Sequence, residues 1–201
     1  MIKSKADLAY YLDECRKAYG KPEKLGLKGI IASCLFPDYN YEFMRNLRKL
    51  EYWSNRRGGV ICRLMRFYRS FRKSSLRART GIELNVNCAG PGLHVSHGKV
   101  VVSAIATLGA HCKILSDVTI GGQGRYDVGG APQLGDRVWV GSGAKIIGPI
   151  RIADGVVIGA NAVVAKDILE PNTTWAGIPA KKVSNNGSSM YLREEFRAST
   201  A

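Results

Sequence analysis

Apolar residues recur every six positions over the second half of the chain. A period of six fits neither the 3.6-residue period of an α-helix nor the two-residue period of a flat strand. It predicts a coil of three short parallel strands per turn, in which each aliphatic side chain stacks on its equivalent about 18 residues further on. The recurring positions form a run of four and a run of six: Val102, Leu108, Ile114 and Ile120, then Leu134, Val140, Ile146, Ile152, Ile158 and Val164.

A glycine-rich insertion separates the two runs. Leu134 lies fourteen positions after Ile120, where a step of six would continue the period, and the eight extra residues fall within 121–130. These residues do not fit the wall of a triangular prism, so we expect a loop over 121–133 to protrude from it. Long loops on a rigid scaffold often carry function, although some are merely tolerated.

The regions on either side of the coil follow different patterns. Residues 1–80 are predicted to be helical, with breaks near 20–22, 37–38 and 58–59, where Gly, Pro and Asp cluster. Residues 184–201 begin with SNNGSS, which predicts a flexible joint before a short tail. The chain therefore divides into a helical region (1–80), a β-coil domain (81–183) and a C-terminal tail (184–201).

Charge is concentrated in one short segment of the 201-residue chain. The formal net charge is +14, and residues 45–79 hold 12 basic groups against Glu51 alone. An arginine at every third position from 63 to 72, among apolar residues, predicts an amphipathic helix with a cationic face. Three interpretations stay open for it: a scaffold helix with solvated arginines, a helix attracted to an anionic membrane or a lipid-linked phosphate, and a nucleic-acid binder. The last is disfavoured, because no reader motif accompanies the charge.

Cysteine usage and the N-terminus bear on the compartment. Five scattered cysteines are an odd number and do not suggest a disulfide framework. The first residues carry acidic groups where a secretory signal needs an apolar run, and no apolar run is long enough to span a bilayer. We therefore expect a cytoplasmic protein. The basic segment also allows peripheral contact with the inner face of the membrane.

The three histidines do not form a convincing set of metal ligands, but one of them is a candidate general base. His94 and His97 lie near Cys88, yet no further pair completes a four-ligand set, so no metal is predicted. His111 is expected to be a surface residue of the coil. His97 stands out because it lies in GPGLHVSHGK, where the six-residue period is broken, as expected of an irregular site that carries a general base.

Five short motifs follow one another in one order across residues 81–183: 81–84 (GIEL), 90–93 (GPGL), 97–98 (HG), 118–122 (VTIGG) and 176–181 (AGIPAK). Together they resemble the catalytic domain of serine acetyltransferases, and equally the short acetyltransferases of surface-polysaccharide clusters. The resemblance implies a left-handed parallel β-helix, a homotrimer and an O-acetyltransferase that uses acetyl-CoA.

The resemblance assigns His97 as general base and Glu83, in place of the more usual Asp, as the residue that orients it. The chemistry agrees, since an alcohol whose pKa lies far above neutrality must lose its proton as it attacks a thioester. An imidazole with a pKa of roughly 6.5 suits that task. A carboxylate on the other ring nitrogen fixes the tautomer and stabilises the imidazolium.

The resemblance also implies a cofactor site in the groove between neighbouring subunits. Small residues there suit the slender pantetheine arm of CoA, and lysines suit its phosphates, although Gly and Ala also recur at corners for structural reasons. The predicted cofactor-binding residues are Gly122, Ser142, Gly143, Ala160, Lys166, Gly177 and Lys181.

Two departures from the family pattern bear on the acceptor. Ser96 stands where serine acetyltransferases have Asp, and Gly130, Ala131 and Pro132 stand where they have Arg-His-Pro. A zwitterion binds poorly without charged partners, so Ser96 and Ala131 are predicted to contact an uncharged hydroxyl acceptor, a sugar destined for a surface polysaccharide. The alternatives are L-serine O-acetylation and a catalytically idle scaffold. No cysteine synthase complex is expected, because the chain ends at Ala201 rather than at Ile.

Overall fold

The structure, a computed structural model, describes residues 1–24, 26–56, 58–122, 124 and 129–196. The helical region has helix boundaries where the sequence predicts breaks. Ser4 and Asp7 form a capping box at the first helix, Asp38 caps the third through the backbone N–H of Tyr41, and Gly81 ends the fourth with φ 68°. The helices are α1 (Lys5–Ala18), α2 (Leu27–Leu35), α3 (Tyr39–Ser54) and α4 (Val60–Thr80).

Short strands follow the helices and enter three sheets in turn. The strands are β1 (His94–Val95), β2 (Val101–Val102), β3 (Thr107–Leu108), β4 (Lys113–Ile114), β5 (Thr119–Gly121), β6 (Gln133–Leu134), β7 (Trp139–Val140), β8 (Lys145–Ile147), β9 (Arg151–Ile152), β10 (Val157–Ile158), β11 (Val163–Val164), β12 (Thr174–Ala176) and β13 (Lys181–Ser184). The sheets have the orders β1-β4-β7-β10-β12-β13, β11-β8-β5-β2 and β3-β6-β9. All pairs are parallel except β12 with β13. The chain therefore coils through three sides, as the period of six predicts.

The strand register shows that the insertion leaves the coil undisturbed. Val101 pairs with Thr119, which lies three periods of six further along the chain. Across the insertion Thr107 pairs with Gln133, and this step equals three periods plus the eight extra positions. The extra residues thus leave the wall between β5 and β6, as expected. Residues 123 and 125–128 of the predicted loop lie outside the described residues.

Stacked aliphatic side chains fill the coil. All ten positions of the six-residue period are at most 5% exposed, and Ile114, Ile120, Val140, Ile146 and Ile158 are fully buried. The predicted inward orientation of these side chains is confirmed. Burial of one such side chain stabilises the fold by about 1.5–3 kcal/mol, which makes the aliphatic column its main support.

A buried ion pair docks the helical region on the coil. Arg48 and Glu51 of α3 are each 1% exposed, and their charged atoms lie 3.0 Å apart. Arg48 also donates to the carbonyl oxygens of Ala89 (2.9 Å) and Gly90 (2.6 Å), and Glu51 accepts from the backbone N–H of Asn87 (2.8 Å). These bonds pair the two charges where water cannot reach them, while the buried Nε of Arg48 has no hydrogen-bond partner among the described residues.

The C-terminal tail packs on the coil as far as residue 196. It forms two 3-10 turns, Ser188–Tyr191 and Glu194–Phe196. The N–H of Ser188 donates to the carbonyl oxygen of Gly155, and the ring of Phe196 stacks on His111 with centroids 4.5 Å apart. The stretch predicted to be a flexible joint is therefore held by the coil. Residues 197–201 lie outside the described part.

No helix among the described residues is both long and apolar enough to cross a membrane.

We expect Arg48→Met to destabilise the protein by roughly 3–5 kcal/mol, because the buried carboxylate of Glu51 then has no cationic partner. The matched control is Arg45→Met, one turn earlier, whose pair with Glu42 is partly exposed; there the expected loss is below about 1 kcal/mol. Denaturant unfolding measures both. Equal losses for the two variants would contradict the assigned role of the buried pair.

Candidate active site

His97 lies at one corner of the coil, together with most of the residues predicted to contact pantetheine. It is the second residue after β1, and the register of β1, β4, β7, β10 and β12 places the same position of each coil above it. The resulting column, here named the His97 corner, consists of His97, Ser116, Ser142, Ala160 and Gly177. The sequence predictions for the base and for the pantetheine contacts thus fall on one edge.

Direct contacts along the His97 corner agree with this register. The hydroxyl groups of Ser116 and Ser142 lie 3.3 Å apart, and the N–H of Gly143 donates to the carbonyl oxygen of Ser116 at 2.8 Å. Gly143 has φ 75°, a backbone conformation that glycine adopts without strain. Ala160 and Gly177 are exposed on the same edge. Small residues therefore leave a shallow path along the corner.

The coil has one extra residue at His97. Seven positions separate the first residues of β1 and β2, whereas six separate β4 from β5, β7 from β8 and β10 from β11. Lys99 takes φ 62°, as Asp117, Gly143 and Asn161 do (58°, 75° and 55°) two positions before the corresponding strands of the later coils. The N–H of Lys99 donates to the carbonyl oxygen of Thr80 at 2.9 Å, and a Cβ at position 98 would collide with that oxygen, so Gly98 permits the approach. The imidazole of His97 is thereby exposed beside the end of α4.

Glu83 lies one strand from His97 but binds another residue. Its backbone pairs with Val101, while its carboxylate accepts a hydrogen bond of 2.7 Å from Arg77 in the last turn of α4. Among the described residues no hydrogen bond joins Glu83 to His97. Arg77 competes for this carboxylate because α4 ends directly before the first coil. No sequence signal marks Arg77 as a partner of Glu83, because the contact joins the end of α4 to the first coil.

Two side chains from the helical region hold the strand that leads to His97. The Tyr19 hydroxyl accepts from the N–H of Val95 and donates to its carbonyl oxygen, both at 3.1 Å. The side-chain amide of Asn40 donates to the carbonyl oxygens of Val95 and Ser96 at 3.4 and 3.3 Å. No sequence signal marked Tyr19 or Asn40, since they lie more than 50 positions from the strand.

The two predicted acceptor contacts differ in their surroundings. The Ser96 hydroxyl is buried and has no hydrogen-bond partner in the described part of the protein. An unpaired buried hydroxyl retains its bonding capacity for a ligand that reaches it. Ala131 instead packs in the core with 6% exposure, so its methyl group supports the base of the loop rather than facing an acceptor in the isolated chain.

The remaining predicted cofactor residues fall in two places. Strand register places Gly122 next to Gly148 of the following coil, and Gly148 next to Lys166 of the coil after that. All three residues lie on the next corner of the prism. This loop corner (residues 122, 148 and 166) is separated from the His97 corner by the four-stranded sheet. Lys181 pairs with Ala176 beside Gly177, so it lies at the end of the His97 corner. Among the described residues, neither Lys166 nor Lys181 makes an ion pair.

His94 and His111 do not belong to the His97 corner. Burial and the neighbouring charges of Lys113 and Arg193 lower the pKa of His94 to about 4, so its ring is neutral at neutral pH. His111 stacks on Phe196, and its Nδ1 lies 3.7 Å from Glu14.

No group of three or more His, Cys, Asp or Glu that could hold a metal is found in the described part of the chain. Four described cysteines are free and buried; the Cys34 side chain lies outside the described residues.

Comparison with known proteins identifies the family. A family model described as bacterial transferase hexapeptide (six repeats) matches residues 131–166. Over 125 residues the chain is 42% identical to the serine acetyltransferase of Helicobacter pylori (strain ATCC 700392 / 26695), an alignment that covers 60% of this chain and 72% of that protein. The chain belongs to the serine acetyltransferase family. It is an O-acetyltransferase, and the resemblance seen in its motifs is confirmed.

Further relatives extend the likeness into the helical region. The serine acetyltransferase of Synechococcus elongatus is 37% identical over 113 residues, and this chain spans 46% of its length. The soybean serine acetyltransferase apoenzyme superposes with a TM-score of 0.64 at 29% identity, covering 88% of this chain and 69% of that one. A Brucella abortus serine acetyltransferase structure shares the fold, with a TM-score of 0.67 at 24% identity over 91% of this chain and 70% of that one. Because these superpositions cover more of the chain than the coil and the tail contain, the shared fold includes helices of the helical region.

Proposed function

We propose that this protein transfers the acetyl group of acetyl-CoA to the hydroxyl of L-serine, with His97 as general base. The observation that carries the proposal is the 42% identity to a serine acetyltransferase, together with the placement of His97 on the small-residue corner. The Brucella neighbour was solved in complex with coenzyme A, which supports the choice of donor. Serine was the alternative in the sequence analysis, and the comparisons favour it over the sugar acceptor expected there.

The chemistry at the His97 corner requires one proton carrier and no acyl-enzyme. The His97 imidazole removes the hydroxyl proton as the acceptor oxygen attacks the thioester carbonyl carbon. The tetrahedral intermediate then expels the CoA sulfur, which takes up the proton from the imidazolium. An ester and free CoA result, and the imidazole is regenerated. Glu83 stabilises the imidazolium when its carboxylate turns from Arg77 toward the ring.

The cofactor residues fit CoA in charge and shape. The corner at Ser142, Gly143, Ala160 and Gly177 takes the pantetheine arm, and Lys181 at its end faces the phosphates. Lys166 and Gly122 belong to the loop corner, so they reach this ligand only from a neighbouring copy. The site is therefore completed in a homotrimer of left-handed coils, where the loop corner of one subunit faces the His97 corner of the next.

A sugar hydroxyl of a surface polysaccharide is the second candidate acceptor. Two observations favour it: Ser96 is neutral where the family has Asp, and the base of the loop has the buried Ala131 in place of a charged residue. A neutral site stabilises an uncharged acceptor more readily than a zwitterion. The family assignment leaves the idle scaffold without support.

Replacement of the base gives the first test. We expect His97→Ala to lower kcat by roughly 10²–10⁴ with little change in the KM for acetyl-CoA, because only proton transfer is lost. The matched control is His111→Asn, since Asn tolerates the positive φ of 55° at that position. Release of CoA thiol measures both variants. Activity of His97→Ala within twofold of wild type would show that the base is misassigned.

An acceptor panel decides between the two candidates. We expect L-serine to have the highest kcat/KM among L-serine, its methyl ester and a set of uncharged sugars. We further expect Ser96→Asp to lower the KM for L-serine, because a carboxylate can pair with the substrate ammonium. A higher kcat/KM for a sugar than for L-serine, together with a lower kcat/KM for that sugar in Ser96→Asp, would show that the acceptor is the sugar and not L-serine.

A further inference from the structure

An apolar strip runs along α4 on the side that faces away from the protein. Val60, Leu64, Phe67 and Phe71 are spaced by four, three and four residues, so they share one face of the helix. Their exposed fractions are 61%, 62%, 75% and 70%. Large side chains exposed together at this level form a continuous patch rather than scattered surface residues.

The opposite face of α4 already has its partner. Cys62, Leu76 and Thr80 are buried, and α4 packs along α3. The side-chain amide of Asn46 donates to the carbonyl oxygen of Arg69 at 3.0 Å, and Arg72 pairs with Glu42 at 3.2 Å. The helix is therefore fixed with its apolar strip outward, and α3 cannot cover the strip.

The charges beside the strip indicate what covers it. α4 contains seven basic residues and no acidic residue. Arg63 is exposed and Arg66 half-exposed on one flank, and the half-exposed ring of Tyr68 lies on the other. A second copy of this face would bring like charges together, which opposes association. A nucleic acid would use the cations but would leave the apolar strip exposed to water.

A groove continues the apolar surface at the start of α4. It has a volume of about 850 Å³, and its walls include Leu8, Trp53, Val60 and Ile61. Lys5 and Arg56 supply cations at the same groove. Apolar walls with cations among the lining residues suit a chain that is aliphatic along its length and anionic at one end.

We propose that α4 docks this protein on the surface of an anionic lipid bilayer. The strip, which includes Phe67 and Phe71, inserts at the level of the upper acyl chains, while Arg63 and Arg66 contact lipid phosphates. An apolar face flanked by cations is the arrangement by which helices lie in a membrane interface. The proposal is independent of the acceptor, because it depends on α4 and not on the His97 corner.

Co-sedimentation of the full chain with vesicles tests the docking surface. We expect binding to vesicles of phosphatidylcholine mixed with phosphatidylglycerol, and at least tenfold weaker binding to phosphatidylcholine alone. Raising the salt from about 0.1 M to about 1 M weakens binding, because charge attraction is screened. Equal binding to both vesicles, or none to either, overturns the proposal.

Paired variants separate the apolar from the cationic contribution. We expect the double variant Phe67→Ser/Phe71→Ser to bind vesicles at least tenfold more weakly than wild type. The control double variant Ile105→Ser/Leu169→Ser replaces two apolar residues that are also exposed but lie outside the strip, and its vesicle binding is expected to be unchanged. Arg63→Gln with Arg66→Gln removes most of the salt dependence, whereas Lys3→Gln with Lys24→Gln does not. Thiol-release activity equal to wild type shows that each variant is folded.

Two other occupants of the strip are outcomes of the same experiment. If the phenylalanine variant lowers the oligomeric mass in solution without lipid, the strip is an interface between copies of this chain. If an acidic amphipathic peptide binds the strip while anionic vesicles do not, the partner is a protein. Either result overturns the membrane proposal.

Discussion

Parallel pairing between the strands of successive coils is the constraint on which the rest of the structure depends. The basic step is three six-residue periods, and where the chain gains or loses residues between paired strands the parallel pairing still continues, so positions on a corner stay above one another. The buried aliphatic column maintains this register, since a slip by one residue would turn its side chains toward water. The eight-residue insertion is accommodated because it leaves the wall. As a result, His97 and the small residues at 142, 160 and 177 lie on one edge although they are far apart along the chain.

The helical region supplies what the coil alone lacks at the His97 corner. Tyr19 and Asn40 hold the strand that ends before His97, and Thr80 accepts the hydrogen bond that fixes the bend after it. The buried pair of Arg48 and Glu51 ties the same helices to the first coil. The stability of the helical region and the position of the imidazole are thus coupled through a few long-range hydrogen bonds.

The fold was predictable where the sequence is periodic, and the site only in part. The period of six gave the three-sided coil, the inward positions and the place of the insertion, because each follows from spacing along the chain. His97 was recognisable as a break in that period. The contacts of Tyr19, Asn40 and Arg48 were not predictable, since side chains that meet across 40 or more positions leave no periodic mark. The pairing of Glu83 with Arg77 depends on how α4 meets the first coil. The charge of α4 was visible in the sequence, but the outward direction of its apolar strip required the packing against α3.

Two separate features are proposed to be functional: the His97 corner, for acetyl transfer, and the outward face of α4, for docking. The central claim is that the base and the cofactor path share one edge of the coil and that a neighbouring copy completes the site. A crystal structure of the protein with CoA tests this most directly. The account predicts CoA between the His97 corner of one subunit and the loop corner of another, with its sulfur beside the His97 imidazole. CoA bound along a different edge, or with its sulfur remote from His97, would contradict it.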